Sequence, residues 1–190
     1  MHSKVTVISD GSGKDGQIGA ATVLFRDRVE HSSLRKHLGS QEHHTVFETE
    51  LRGLSLAAEL IKAEGHMHMA MIGADSQAVV LAITHGRGAP GQYLAVGLHQ
   101  QIAGAWCKHP SIEIEVRWML GDEGILGNER ADLEAKRAAE GSSSEERQLP
   151  RLCRQKLPVS WFATLQHHRN IVHIKVKEWF KSSPRCQQLQ

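Results

Sequence analysis

Acidic side chains recur in this chain where the surrounding pattern would fix them in place. Asp10 ends the apolar run VTVISD, and Asp75 follows the alternating stretch MHMAMIGA at 67–74. Glu48 and Glu50 stand in the first turn of a long segment with helical apolar spacing. Asp132 stands in the first turns of another, which starts near Gly127-Asn128. An acid that closes a buried strand, or opens the helix after one, is held rigidly at a sheet edge, where ligands of α/β proteins commonly bind. Carboxylates gathered in that way are hard oxygen ligands suited to Mg²⁺ or Mn²⁺, ions that keep waters and also bind substrate phosphates. Two such ions about 3.5–4 Å apart activate a water and stabilise the leaving oxygen of an in-line displacement at phosphorus. Taken singly the acids have plainer uses: Asp10 and Asp75 as cap or turn residues, Glu48, Glu50 and Asp132 as charges complementing helix N-terminal dipoles.

The elements that must position these acids are read from periodicity. The run ending at Asp10 predicts a buried strand, DGSGKDGQ a glycine-rich turn, and Ile18 to Phe25 a second strand. Arg26-Asp27-Arg28 turns into a third, more polar strand ending near His37, so an antiparallel meander is expected. From about Thr45, Val46, Phe47, Leu51, Leu54, Ala57, Leu60 and Ile61 recur at helical spacing. Met67 to Ala74 predicts a short strand, and Asp75-Ser76 the cap of a short helix through Ile83. HGRGAPG at 85–91 reads as a loop, Gln92 to Trp106 as a helix, and Ile112 to Trp118 as an alternating strand. A last helix of the body is expected from about Gly127-Asn128 to Ala139. The sum is an α/β fold: a mixed five-stranded sheet, three strands of it in a meander, flanked by helices.

The body so read covers 1–140, with GSSSEE at 141–146 opening an expected linker over 141–157 and a basic, helical tail over 158–190. In the tail Trp161, Leu165, His168, Val172, Val176 and Trp179 recur at intervals of three and four, which predicts one helix. IVHIKV at 171–176 also alternates as a strand would, and both readings stand there. Trp161, Trp179 and Phe180 read either as a packing stripe that docks on the body or a partner, or as platforms for stacked bases.

Composition sets the frame: 40% hydrophobic residues suffice for a core. Cys107, Cys153 and Cys186 match neither a disulfide framework nor a zinc site, which favours a reducing, intracellular compartment, nuclear or cytoplasmic. No run reaches the roughly 18 apolar residues of a membrane span, and MHSKVTVISD lacks a signal-peptide layout, so no membrane association is expected. The net charge of +2 is unevenly spread. From Arg147 onward nine Lys and Arg face the single acid Glu178, a net of +8, whereas residues 1–146 carry 14 basic and 20 acidic residues, a net of −6. Such a tail suits a phosphate backbone or is simply a solvated helix. The thirteen histidines include the pairs His43-His44, His66/His68 and His167-His168, none with cysteines at zinc spacing.

In their order and spacing, "ISDGS", "FETEL", "GADSQ" and "GNERAD" resemble the motifs of the type 1 ribonuclease H domain, in particular the form carried by fungal non-LTR retrotransposons. The resemblance covers about residues 4–140. It implies hydrolysis of the RNA strand of an RNA–DNA hybrid by two metal ions, Mg²⁺ or Mn²⁺, leaving 5′-phosphate and 3′-hydroxyl ends. It implies Asp10, Glu50, Asp75 and Asp132 as catalytic metal ligands. Asp10 and Asp132 would share one ion with Asp75 nearby, and Asp10 and Glu50 the other. Glu50 is favoured over Glu48 because the family's acid directly precedes the leucine of that helix. For the substrate, the resemblance implies 2′-hydroxyl contacts from the backbone at Gly11 and Ser12 and from the Gln77 side chain, and a DNA-strand phosphate at Thr45. The asparagines that often follow this threonine are here Val46 and Phe47, and the basic segment some members carry between the middle helices is replaced by HGRGAPG.

The family usually has a histidine ten residues before the last acid, in a phrase like "PGHxGxxGNExAD"; this chain has Gly121-Asp122-Glu123. Imidazole titrates near neutral pH, whereas an aspartate of ordinary pKa does not. Asp122 therefore reads as a supplementary metal ligand or water-positioning base, as a solvated loop residue, or as the mark of lost catalysis. In the same segment Glu129 is expected to face away from Asp132, and Glu123 has no role. The tail resembles the region that follows ribonuclease H in fungal retroelement polyproteins, implying a fragment or domesticated remnant of one. An alternative to the enzyme is a weakened or inactive nucleic-acid-binding or scaffold protein, motivated by Asp122 and the +8 tail.

Overall fold

The computed structural model describes residues 4–65, 67–85, 91–119 and 127–183. Its elements are β1 (Val5–Lys14), β2 (Gln17–Arg26), β3 (Val29–Ser40), α1 (Val46–Ala63), β4 (Met69–Ala74), α2 (Gln77–His85), α3 (Gln92–Lys108), β5 (Glu113–Trp118), α4 (Asn128–Ala139), α5 (Arg151–Arg154) and α6 (Trp161–Ser182). The strands form one sheet in the order β3-β2-β1-β4-β5. β1, β2 and β3 are antiparallel neighbours, and β4 and β5 add in parallel on the other side of β1. The expected meander and mixed sheet are thus observed. The loop expected over HGRGAPG lies mostly outside the described residues, as do Asp122, Glu123, His66 and Cys186.

β1 differs from its sequence-based extent. The glycines expected in a turn continue the strand, because β2 pairs with it all the way from Val5↔Arg26 to Lys14↔Gln17. Ladder pairing over ten residues outweighs the poor strand preference of Gly11 and Gly13. The turn proper is Asp15-Gly16, both at positive φ.

Alternation along β1 divides its side chains between the two faces of the sheet. Val5 and Val7 join the larger core with Leu51 and Leu54 of α1 and Leu98 and Ile102 of α3. Ile8 faces the other way and packs with Val23, Phe25, Met119 and Ala131 under α4. Asp10, two residues after Ile8, therefore projects from the α4 face, in the middle of β1 rather than at its expected end, just past the last residue that pairs with β4. α4 lies close because Gly19 of β2 has no side chain: a Cβ there would stand 2.3 Å from the Ala139 nitrogen. Buried Glu134 fastens the helix, accepting from Arg130 and Arg137 of its own turns and from Arg35 of β3. Burial pushes its carboxyl pKa up, but Arg130 and Arg35 outweigh that and hold it below the usual range.

The segment expected as a linker is packed against the body. Ser142 and Ser144 accept hydrogen bonds from Arg35, and Ser143 accepts one from the His37 amide. Leu149, Cys153 and Leu157 are buried in the larger core, where Cys153 meets the Arg52 guanidinium. Polar GSSSEE satisfies the edge strand β3, and the apolar residues after it close the end of the core. α6 is a single helix through 171–176, so the strand reading fails there. The Ser160 hydroxyl caps it and the Ser160 amide donates to the His43 carbonyl at 2.7 Å. The helix borders the body as far as Asn170 and runs almost wholly exposed after it; Trp161 is 72% and Trp179 67% exposed, so these two aromatics do not dock on the described residues. Among the described residues no helix is long and apolar enough to cross a membrane.

Candidate active site

The β1–β4 ladder ends at Ser9↔Ala74, so Asp10 and Asp75, each the next residue, emerge side by side where the two parallel chains part. Neighbouring β5 secures that point: the Met119 amide donates to the Ala74 carbonyl at 2.8 Å and Trp118 Nε1 to the Asp75 carbonyl at 2.9 Å. The opening lies beyond the carboxyl ends of parallel strands, where open α/β sheets place ligands.

Glu50 reaches the same point from the opposite face of the sheet. α1 starts at the Thr45 cap and crosses β1 at Gly11, where an added Cβ would stand 2.2 Å from Thr49 Oγ1 and 3.0 Å from Glu50 Oε1. The missing side chain at Gly11 is what lets the buried Glu50 carboxylate approach Asp10. Oxygens of Asp10, Glu50 and Asp75 all lie within 4.8 Å of one another, the one such group of metal-ligating side chains among the described residues. The histidine pairs accordingly supply no second centre there.

Asp132 completes the arrangement from α4. It lines one cleft of about 250 Å³ with Asp10 and Asp75, and Lys136, one turn on, donates to its carboxylate at 2.6 Å. Asn128 and Glu129 line that cleft too. The expectation that Glu129 faces away is thereby corrected: residues three apart on a helix are neighbours, and Glu129, though exposed, lines the cleft. Asn128 is four residues before Asp132, and its Nδ2 is buried with no hydrogen-bond partner among the described residues. Sequence reading gave it only a part in starting the helix, although its i, i+4 relation to Asp132 was a usable signal.

Crowding shows in the electrostatics. Burial, then the charges of Asp75 and Asp132, push the Asp10 carboxyl up to about 7. Burial, then Asp75 and Asp10, push Glu50 up to about 9. Asp75 is raised by burial and by Asp132. A hydrogen bond from the Gly11 amide opposes the rise at Asp10 and Glu50 without cancelling it. Glu50 Oε2 is buried and lacks any hydrogen-bond partner among the described residues. An unpartnered buried carboxylate oxygen beside two further carboxylates fits a bound divalent cation, which satisfies the lone pairs and neutralises the repulsion together.

Glu48, the competing acid, is committed elsewhere. Its Oε2 accepts from the Thr45 amide at 2.7 Å and the Thr45 hydroxyl at 3.0 Å, while the Thr45 hydroxyl accepts from the Glu48 amide. This is a capping box. Thr45 itself lies in a second groove of about 720 Å³ between the start of α1 and the first turns of α6. Ser12 is buried in β1, and Gln77 is exposed at the first position of α2, two residues after Asp75.

No protein-family model and no curated protein matches the chain. Among solved structures it is similar to ribonuclease H1 of the halophilic archaeon Halobacterium salinarum, with 18% identity and a TM-score of 0.51 over 73% of this chain and 99% of that one. It is similar also to LC11-RNase H1, isolated from compost by a metagenomic approach, with 17% identity and a TM-score of 0.56 over 73% of this chain and 96% of that one. What likeness at these identities establishes is the architecture: the mixed β3-β2-β1-β4-β5 sheet and its flanking helices have the ribonuclease H fold.

Proposed function

We propose that the chain is a divalent-metal-dependent endonuclease that hydrolyses the RNA strand of an RNA–DNA hybrid, leaving 5′-phosphate and 3′-hydroxyl ends. The convergence of Asp10, Glu50 and Asp75 within 4.8 Å supports this reading most strongly. Asp10, Glu50, Asp75 and Asp132 would hold two ions, Mg²⁺ or Mn²⁺. When bound, such ions lower the pKa of a coordinated water and neutralise charge on the attacked phosphate.

The chain's own residues do the positioning. Asp10 stands between Glu50 on one face of the sheet and Asp132 on the other, and both helices are fixed by buried packing, so the ligand set is largely pre-formed. Lys136 keeps the Asp132 carboxylate oriented along α4. The exposed Gln77 amide and the backbone at Gly11 and Ser12 would meet a 2′-hydroxyl, the feature that separates RNA from DNA. A DNA-strand phosphate at Thr45 would sit at the N-terminal end of α1, where the helix dipole favours an anion. The motif order also supports an origin of the domain among non-LTR retrotransposons.

Incubation with labelled RNA–DNA hybrid, single-stranded RNA and duplex DNA tests the reading. The expected result is cleavage of the hybrid's RNA strand alone, with Mg²⁺ or Mn²⁺ and not with EDTA. Equal cleavage of free RNA, or hybrid binding without turnover in either metal, would overturn it in favour of a different nuclease or a non-catalytic binder.

A further inference from the structure

α6 carries a line of basic side chains that the cleft does not use. At 3.6 residues per turn, Arg169, His173, Lys177 and Lys181 follow one another at four-residue intervals and form one i±4 row. All four are exposed, and among the described residues Arg169, Lys177 and Lys181 have no acidic partner. The row adjoins the side of α6 that meets the body. Gln166 and Asn170, flanking Arg169, line the same groove as Thr45 at the start of α1. The apolar stripe of Trp161, Val172, Val176 and Trp179 runs beside this row, on average about a third of a turn around the helix, and Lys175 falls on the stripe's side.

We propose that this row is a backbone-binding arm for the nucleic acid: it holds phosphates of the RNA–DNA hybrid beyond the cleavage site. The choice of hybrid rests on the proposed function; the choice of a phosphate backbone rests on the row. From Arg169 to Lys181 the helix advances about 18 Å at 1.5 Å per residue, roughly five nucleotide steps at 3.4 Å per strand. Charge decides between occupants. Glu178 is the one acid of α6, so a second copy docked along this row would set lysine against lysine, whereas a polyanion pairs with every cation in it. Phe180, 58% exposed and one turn from Lys177, offers a face on which a base can stack.

The test compares two full-length variants with the same loss of charge: Arg169→Gln/Lys177→Gln/Lys181→Gln on the row, and Arg147→Gln/Lys156→Gln/Lys175→Gln off it. Binding of a fluorescent hybrid is measured by anisotropy in EDTA from 50 to 200 mM salt. Each lost phosphate contact makes the slope of log K against log[salt] shallower by about 0.9, so the row variant is expected to lose about 2–3 in slope while the control stays within about 1 of wild type. KM for hybrid cleavage should rise by the same factor as the dissociation constant. Equal changes in both variants would show diffuse attraction and overturn the arm. So would unchanged binding by the row variant, whether or not sedimentation finds self-association through the apolar stripe instead. Slope loss confined to the row variant in a protein that cleaves nothing would support the arm and refute the nuclease reading. Normal cleavage with unchanged slope and KM would do the reverse.

Discussion

Replacing Glu50 by Gln should make the metal-free protein more stable at neutral pH while removing its activity. The Glu50 carboxyl is raised from 4.5 to about 9 by burial and by Asp75 and Asp10. A raised acid binds its proton more tightly folded than unfolded, so its contribution is fully favourable below the unfolded value and is lost as pH climbs toward the folded one. One pKa unit is about 1.4 kcal/mol. Neutral pH, between two and three units above 4.5, therefore carries a cost of about 3 kcal/mol at this residue. Gln copies the protonated acid. Its oxygen can accept from the Gly11 amide, and its NH₂ can take the place of the unpartnered Oε2 facing two carboxylates. For a chain of this size 1 kcal/mol moves Tm by roughly 2–4 °C, so a gain of about 6–12 °C is expected at pH 7. Circular dichroism melts in EDTA at half-unit steps from pH 5 to 8 check it. The gap between variant and wild type should be under about 1 kcal/mol at pH 5 and widen with pH, and added Mg²⁺ should stabilise wild type more than the variant. A gap that does not change with pH, or a variant less stable than wild type at pH 7, would refute the reasoning.

Gly11→Ala should push α1 off β1 through Thr49 and displace Glu50; an approximately 1 Å misplacement lowers kcat/KM by about 10²-fold, read in the hybrid assay. Leu149→Ala removes a side chain 1% exposed in the larger core and should cost about 2–5 kcal/mol in urea unfolding; a loss under about 1 kcal/mol would mean that 141–157 is not part of the fold. Asp122→His, outside the described residues, should raise kcat near neutral pH, by up to about 10²-fold if the imidazole serves as a positioned acid or base.

The strongest periodicities were the most legible features. The apolar stripe of α1, the alternation of β4 and the acids that follow two apolar runs, Asp10 and Asp75, are enough to point both acids to one sheet edge, although β1 itself continues past Asp10 to Lys14. Parallel pairing of β1 with β4 then fixes their adjacency, a long-range relation that local pattern does not contain. The glycines of β1 read as a turn because propensity is local, while the pairing that overrides it comes from β2. Glu48 is distinguishable from Glu50 in the sequence itself: Thr45-x-x-Glu48 is the spacing of a capping box, and a glutamate committed to the helix start is a poor metal ligand. Leu149, Cys153 and Leu157 were hidden behind GSSSEE, whose polarity suggests solvent although its serines bond an edge strand. The exposure of Trp161 and Trp179 was not legible, since periodicity identifies an apolar stripe but not what covers it.

The central claim is that the carboxylates of Asp10, Glu50, Asp75 and Asp132, brought together where β1 and β4 part, make this fold a nuclease. Its most direct test is cleavage of a hybrid labelled on the RNA strand by wild type and Asp10→Asn, with product ends mapped across Mg²⁺ and Mn²⁺ titrations. The prediction is RNA fragments with 5′-phosphate and 3′-hydroxyl ends from wild type in either metal, and none from Asp10→Asn. Equal cleavage by Asp10→Asn, or an intact RNA strand after incubation with folded wild type in both metals, would contradict it.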